Sequence, residues 1–511
     1  MFRRVPVYQQ SPSSLAELAK AMIQGLEDGE LDKLLGVPDD DENTSTRPDG
    51  KLRLPAGYTY FGQFVDHDIT FDPVSSLERQ NDPDALVDFR TPRFDLDSLY
   101  GRGPSDQPYL YEPDGVHLTL GRDVASGNTA TGHDLQRSAS GRAIIGDPRN
   151  DENLIVSQVQ VAFLAFHNKV LDRIGSENPG LGAQDVFKLA QQTVRWHYQW
   201  IVVHDFLARL VGDEVVDEIL APKPYAAPGG AGATTRPDLR FFHWRDSPYM
   251  PVEFSVAAYR FGHSIIRPSY LLNDIIPLPR AEHAARIPLF SDSGDDLSHL
   301  NGFRPLPDAW AIQWKYFLPD IRGDAAGPND QFLPQPSYKL DAELSNPLGS
   351  LPASVAQPEE IVEGEPPSLA QVLAARNLIR GLRLGIPAGQ DVARAMGLTP
   401  LDDTQLFGDM SLSNGAIEDL AGHAPLWFYI LKEAEIVSGS AHLGPVGGRI
   451  VAEVLIGLLA GDPLSYLSVD PGWRPTLPAL AQHTFVLSDV FNLINPATSE
   501  PAAAPTYVPS R

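Results

Sequence analysis

The chain has 511 residues, a formal net charge of −26 and an apolar fraction of 42%, enough for a sizeable core in one large domain or several. That charge and the lack of a basic run argue against nucleic acid and anionic membranes as partners, because phosphate contacts need clustered Lys and Arg. With no cysteine, disulfides and thiolate metal sites are excluded.

Residues 1–50 read as an N-terminal extension and linker. The start, MFRRVPVYQQSPSS, has two arginines but no apolar stretch behind them, so no cleavable signal is expected. The default is a soluble, cytoplasmic protein, with leaderless export left open. SLAELAKAMIQGLE has helical apolar spacing, and PDDDENTSTRPDG (38–50) is a loop by composition. YFGQFVDHDITFDP (60–73) sets Asp66, His67 and Asp68 side by side among aromatic and aliphatic residues. GRDVASGNTATGHDLQRSASGR (121–142) is polar and reads as a surface excursion. GDPRNDENLIV (146–156) reads as a turn into a helix start, with acids in the first turn as the macrodipole prefers.

LIVSQVQVAFLAFHNKVLDRI and DVFKLAQQTVRWHYQWIVVHDFLARLVG repeat apolar residues at three- and four-residue intervals. AAPGGAGATTRPD (226–238) is a loop. AAYRFGHSIIRPSY (257–270) is helical in context and should end near Arg267, because Pro268 disfavours α geometry before it. Loops return over 320–368, and SLAQVLAARNLIRGLRLG is helical. IVAEVLIGLLA (450–460) carries Glu453 and is too short to span a bilayer, so it reads as a buried helix. A tail follows from 496 to 511. These features predict one large, mainly α domain over 51–495, with long loops and little β structure.

Four polar groupings sit on these apolar helices. Gln63 and His67 are four apart and share a face, with Asp66 and Asp68 beside them. Arg149 and Glu152 are three apart, as are Asn377 and Arg380, and His263 follows Gly262, which allows close approach of something flat. Taken singly, each has a plainer structural explanation: a core histidine beside surface acids, a surface ion pair, or a satisfied buried amide. As a set they do not suit a serine hydrolase, since no Gly-x-Ser-x-Gly elbow occurs. They do not suit zinc either, since HEXXH is absent. A haem pocket uses all of them.

The segments FGQFVDHDITFDP, RTPRFDLDSLYGRGP, GDPRNDENLIVSQVQVAFLAFHNKVLD, YRFGHSIIRP, LAARNLIRGLRLGIPAG and HLGPVGGRIVAEVLIG resemble, in order, the motifs of the animal-type haem peroxidase superfamily. That group includes myeloperoxidase, peroxinectin and bacterial relatives, and this chain looks like a bacterial-type member. The resemblance implies that His67 is the distal histidine, Gln63 its neighbour and Arg149 the distal arginine. It implies that His263 binds the haem iron, that Asn377 accepts its Nδ1–H, and that Arg380 meets a propionate, with Arg260 also at the haem. Asp66 and Glu152 match the carboxylates that form ester links to haem methyls. Asp68 matches a calcium ligand, joined by Thr91, Arg93, Asp95 and Asp97, and such hard oxygen donors suit Ca²⁺ far better than Zn²⁺. Asn153 stands where mammalian myeloperoxidase has the methionine of its sulfonium link, so that link is not expected.

The function so implied is reduction of hydrogen peroxide, with halide, thiocyanate or phenols oxidised through a ferryl haem. Two alternatives are a cyclooxygenase-like fatty-acid dioxygenase and a non-catalytic adhesion or matrix protein on the same scaffold. The dioxygenase requires a tyrosine three residues before the proximal histidine, where this chain has Arg260, with Tyr259 one place off.

Overall fold

The computed structural model describes residues 1–23, 54–70, 92–126, 130–221, 223–225, 234–274, 276, 286–291, 294–295, 297–322, 334–352, 367–480 and 484–495. The helices that build and support the site are α1 (Pro12–Ala21), α2 (Ala56–Ile69), α3 (Leu154–Glu177), α4 (Ala183–Ile201), α5 (Leu373–Arg383), α6 (Leu426–Ser438), α7 (Pro445–Gly461) and α8 (Leu487–Ile494). Among the described residues, β structure is confined to three antiparallel pairs: β1–β2 (Asp123–Ser126 with Ala130–His133), β3–β4 (Lys223–Tyr225 with Thr234–Arg236) and β5–β6 (Ser269–Leu271 with Arg286–Pro288). The mainly α class read from the sequence is the class observed.

α2 begins after Pro55, whose extended backbone (φ −62°, ψ 146°) sets the chain for a helix, and ends where Thr70 turns extended. The helix is buried almost all round. Phe64 stacks on Phe163 of α3 with centroids 4.9 Å apart, and Phe61 meets Phe206 edge-on at 5.5 Å. Such aromatic pairs add roughly 0.5–1.5 kcal/mol each beyond the area they bury. α3 is long and apolar enough to cross a membrane, but 83% of its most apolar window is buried inside the molecule. α4 packs along α3 and runs into a π-helical turn, Val202–Leu207, before the chain reverses.

Three local readings change. Residues 121–142 are more than a surface excursion: β1 and β2 form a hairpin, and the chain after it turns inward. There Arg137 binds Asp151 through two bonds, of 2.8 and 2.7 Å, and also pairs with Asp134, which is 1% exposed. The buried charges satisfy one another, which composition alone cannot show. His263 ends a 3-10 helix, Ala258–His263, instead of lying inside an α-helix that runs to Arg267. Residues 1–23, read as part of an extension, supply α1, whose Leu15 and Leu18 are fully buried against the body that contains α5.

α7 is the buried helix expected at 450–460, and Glu453 within it is 0% exposed. The carboxylate accepts bonds from the amides of Arg240 (3.0 Å), Phe241 (2.7 Å) and Phe242 (2.9 Å), tying a loop to the helix. At the start of α7, Glu433 of α6 accepts from the Val446 and Gly447 amides at 2.9 and 3.3 Å. Burial outweighs those bonds and pushes the Glu433 carboxyl up to about 7. The folded state therefore binds this proton more tightly than the unfolded chain, so stability falls as pH rises from the ordinary glutamate range to about 7. Relative to Glu433→Gln, the wild type should lose on the order of 2 kcal/mol between mildly acidic and mildly alkaline pH. Urea midpoints of both proteins at each pH check this, and parallel pH curves would contradict it.

Candidate active site

The distal side is set by α2. Its last turns carry Gln63 and Asp66, half-buried, and His67, 4% exposed. Opposite stands a 3-10 turn, Pro148–Asp151, capped by Asp147, whose carboxylate accepts from the Arg149 amide at 2.9 Å. Glu152 follows, and Asn153 then starts α3, its side chain accepting from the Ile155 amide at 2.8 Å. Gln63 donates to Glu152 Oε1, and the same oxygen lies 3.5 Å from His67 Nε2. Burial raises the Glu152 pKa, but the His67 and Gln63 contacts and the Arg149 charge bring it below the ordinary value. Its side chain is 39% accessible because it faces a cavity.

The opposite wall belongs to His263. Burial, with the Arg260 charge nearby, drives its pKa down to about 3, so the ring is neutral near pH 7, as a metal ligand must be. The Asn377 side-chain amide on α5 lies 2.7 Å from His263 Nδ1, with its nitrogen turned toward the ring. Turning the amide over presents its oxygen to Nδ1–H and leaves Nε2 as a donor atom for a metal. The 3-10 turn is fixed from below by Trp427, whose indole donates to the Arg260 carbonyl at 3.0 Å.

Two adjoining cavities lie between these walls. The inner one is lined by Gln63, Asp66, His67, Glu152, Arg260 and His263, with Tyr58, Tyr60, Tyr259, Phe206, Phe261 and isoleucines around them. The outer one shares Tyr60, Gln63, Glu152, Arg260, His263 and Ile266, and adds Asn153, Arg376, Asn377, Arg380, Phe290, Phe303 and leucines. Both histidines thus bound one continuous space, with carboxylates on one wall and arginines on another. A Cβ added at Gly262 would meet nothing within 4 Å, so the backbone beside His263 is open to a flat ligand.

Arg149 is placed differently from the sequence reading, which set it in the cavity as a catalytic group. It lines neither cavity. Its guanidinium binds Asp147 at 2.7 Å, the His67 carbonyl at 2.9 Å and the Thr70 carbonyl, gripping the C-terminal end of α2. Those carbonyls lack intrahelical partners at a helix end, which is why a cation settles there.

Behind His67, the carboxylates of Asp68, Asp95 and Asp97 place oxygens within 4.8 Å of one another, and Asp68 is 1% exposed. Three such acids repel unless protonated or neutralised by a cation. Their loop is pinned from α4, where Arg195 donates to the Asp95 carbonyl at 2.6 Å and Gln199 to the Phe94 carbonyl at 3.0 Å. Leu96 takes a left-handed conformation (φ 56°), turning the chain between the two aspartates. The Arg93 side chain points away, 4.0 Å from Asp462. Thr91, the remaining expected ligand, lies outside the described residues.

Residues 78–291 match the family model described as animal haem peroxidase. The match covers 214 of the 511 residues, and over that stretch the chain is similar to the animal haem peroxidase family. Peroxidasin of Drosophila melanogaster is 24% identical over 332 residues, covering 63% of this chain but 18% of that protein. Dual oxidase of the same species is 25% identical over 131 residues, 26% of this chain and 7% of that protein. The chain spans less than a fifth of the length of these curated relatives. Its fold is similar to peroxidase A of Dictyostelium discoideum (TM-score 0.54, 15% identity, 96% of this chain and 89% of that one). It is equally similar to a fatty acid alpha-dioxygenase of Arabidopsis thaliana (TM-score 0.54, 16% identity, 99% and 80%).

The family matched is one of haem proteins, and the donors present would fit that group: a neutral imidazole, an open glycine beside it, and arginines along one wall. Sequence reasoning missed three residues of this site. Arg376 lies one helical turn before Arg380 on the cavity wall, a spacing visible in RNLIR. Asn150 and Gln160 bond in series behind His67; both fall within the segment 146–172 quoted above, but neither was singled out there.

Proposed function

We propose that the protein binds haem between His67 and His263 and reduces hydrogen peroxide, with small anions or phenols as electron donors. The observation that carries this is a single space bounded by both imidazoles, one of them neutral and backed by an amide. His263 would hold the iron, and Arg260, Arg376 and Arg380 would meet the carboxylates at the edge of the macrocycle. Haem supplies the redox chemistry of the reaction. His67 Nε2 faces the cavity and can accept a proton from bound peroxide and return it to the departing oxygen, as base and then acid. Arg149 supports this by fixing the carbonyl of His67.

Asp66 and Glu152 face the same cavity, which supports the two ester links that the sequence suggests. Asp68, Asp95 and Asp97 form a site for Ca²⁺, a cation that takes several carboxylate and carbonyl oxygens. The fatty-acid dioxygenase reading has one structural point in favour, since Tyr259 lines the inner cavity, but its hydroxyl donates to the Gly62 carbonyl at 3.2 Å.

The protein reconstituted with haem should show a Soret band that His263→Ala abolishes. His67→Ala should keep the band and lose roughly 10²–10⁴-fold in peroxide reduction. A colourless protein, or one that consumes oxygen with a fatty acid but leaves iodide and phenols untouched, would sink the peroxidase reading. After peroxide treatment, haem should resist acid–organic extraction until Asp66→Asn and Glu152→Gln are combined, and full extraction from the wild type would rule the esters out. The purified protein should carry calcium, with Asp97→Asn weakening it by roughly tenfold or more through loss of one charged ligand. Unchanged affinity when all three aspartates are replaced would remove the site.

A further inference from the structure

We propose that Asn150 and Gln160 are positioning residues that fix which nitrogen of His67 carries its permanent proton. This rests on the peroxidase reading of the same site and extends it to residues outside the cavity.

Three buried contacts run inward from the His67 ring. Nδ1 lies 2.7 Å from Asn150 Oδ1, Asn150 Nδ2 lies 2.8 Å from Gln160 Oε1, and Gln160 Nε2 lies 3.0 Å from the Ser98 carbonyl. Asn150, Gln160 and Ser98 are 0–1% exposed, and His67 is 4% exposed. The direction of the whole series follows from its inner end. A backbone carbonyl can only accept, so Gln160 must turn its amide nitrogen toward Ser98 and its oxygen toward Asn150. Asn150 must then donate to that oxygen and present its own oxygen to His67. Reversing either amide would set two acceptors or two donors face to face in a buried place, at the full desolvation cost of both. The Ser98 carbonyl also accepts from the Gly146 amide at 3.0 Å, which fills its second lone pair and fixes it in place.

The consequence falls on the ring. Nδ1 is held as a donor, so the only ring atom whose proton can come and go is Nε2, which faces the cavity with Glu152 Oε1 at 3.5 Å. The imidazole is fixed in orientation and in tautomer, and its exchangeable position is aimed at the reaction space. Arg149 holds the backbone of the same residue, so adjacent residues of one 3-10 turn grip His67 by its main chain and by its ring.

The test uses Asn150→Leu, which removes the acceptor, and Asn150→Asp, whose carboxyl keeps an acceptor for Nδ1–H and, protonated on its other oxygen, a donor for Gln160 Oε1. With haem content matched, Asn150→Leu should lower kcat for peroxide reduction by roughly 10–100-fold, the usual effect of removing a partner that orients a functional histidine. KM for the electron donor should not move. Association of hydrogen cyanide, which must give up a proton to bind as the anion, should slow alongside, and Asn150→Asp should recover most of both rates. A leucine variant with unchanged kcat and cyanide rate overturns the proposal, as does an aspartate variant no better than leucine.

A second measurement stands apart from haem. In the ¹⁵N-histidine spectrum of the haem-free wild type above neutral pH, with the His67 signal assigned from its loss in His67→Gln, the proton should sit on Nδ1. A proton on Nε2 there overturns the proposal even if the leucine variant does not fold. If the protein binds no haem but Nδ1 is protonated, the peroxidase reading fails and the relay stands.

Discussion

The grip of residues 147–153 on the last turn of α2 is the contact on which the site depends. Asp147 caps the turn and binds the Arg149 side chain, and Arg149 in turn holds the His67 and Thr70 carbonyls. Asn150 meets the His67 ring, Asp151 anchors Arg137, Glu152 enters the cavity, and Asn153 starts α3. Seven consecutive residues therefore join the distal helix, the hairpin region and the longest core helix. The side chains alternate between holding backbone and facing chemistry, which a short 3-10 turn permits because its residues project around the axis at a third of a turn each.

Charge is unevenly shared around the cavity. In a chain of net charge −26, the outer space still gathers Arg376 and Arg380, the inner one holds Asp66, and Arg260 and Glu152 line both. Water-poor surroundings strengthen such contrasts. A ligand that enters must bring carboxylates to one side and apolar surface to the middle, where Tyr60, Phe206, Phe261 and the isoleucines stand. Porphyrin has that pattern, and so the walls agree with the family that residues 78–291 match.

Much of the site was legible because its residues sit at fixed helical spacings. Gln63, Asp66 and His67 line the cavity from one helix, and Asn377 and Arg380 from another, as intervals of three and four require. The 3-10 geometry at His263 was not legible, since a proline five residues on marks where a helix cannot continue, not where it stops. Asn150 and Gln160 were opaque for a different reason. Their importance arises only when α2 and α3 pack, and ten residues of sequence separate them. Arg149 was recognised as a residue but not as a clamp, because spacing shows which side chains are neighbours and not which acceptors reach them first. The inward turn after the hairpin escaped notice because the acid that receives Arg137, Asp151, lies beyond the segment read as surface.

Asn153 has a consequence for how this site could change over time. Its amide oxygen opens α3, so the position serves helix initiation as well as lining the outer cavity. A sulfur-bearing side chain there could add a covalent anchor to the macrocycle only by giving up the group that starts the longest helix in the core. Any lineage that acquired such an anchor would forgo a cap worth about 0.5–2 kcal/mol, so the link would come at some cost in stability.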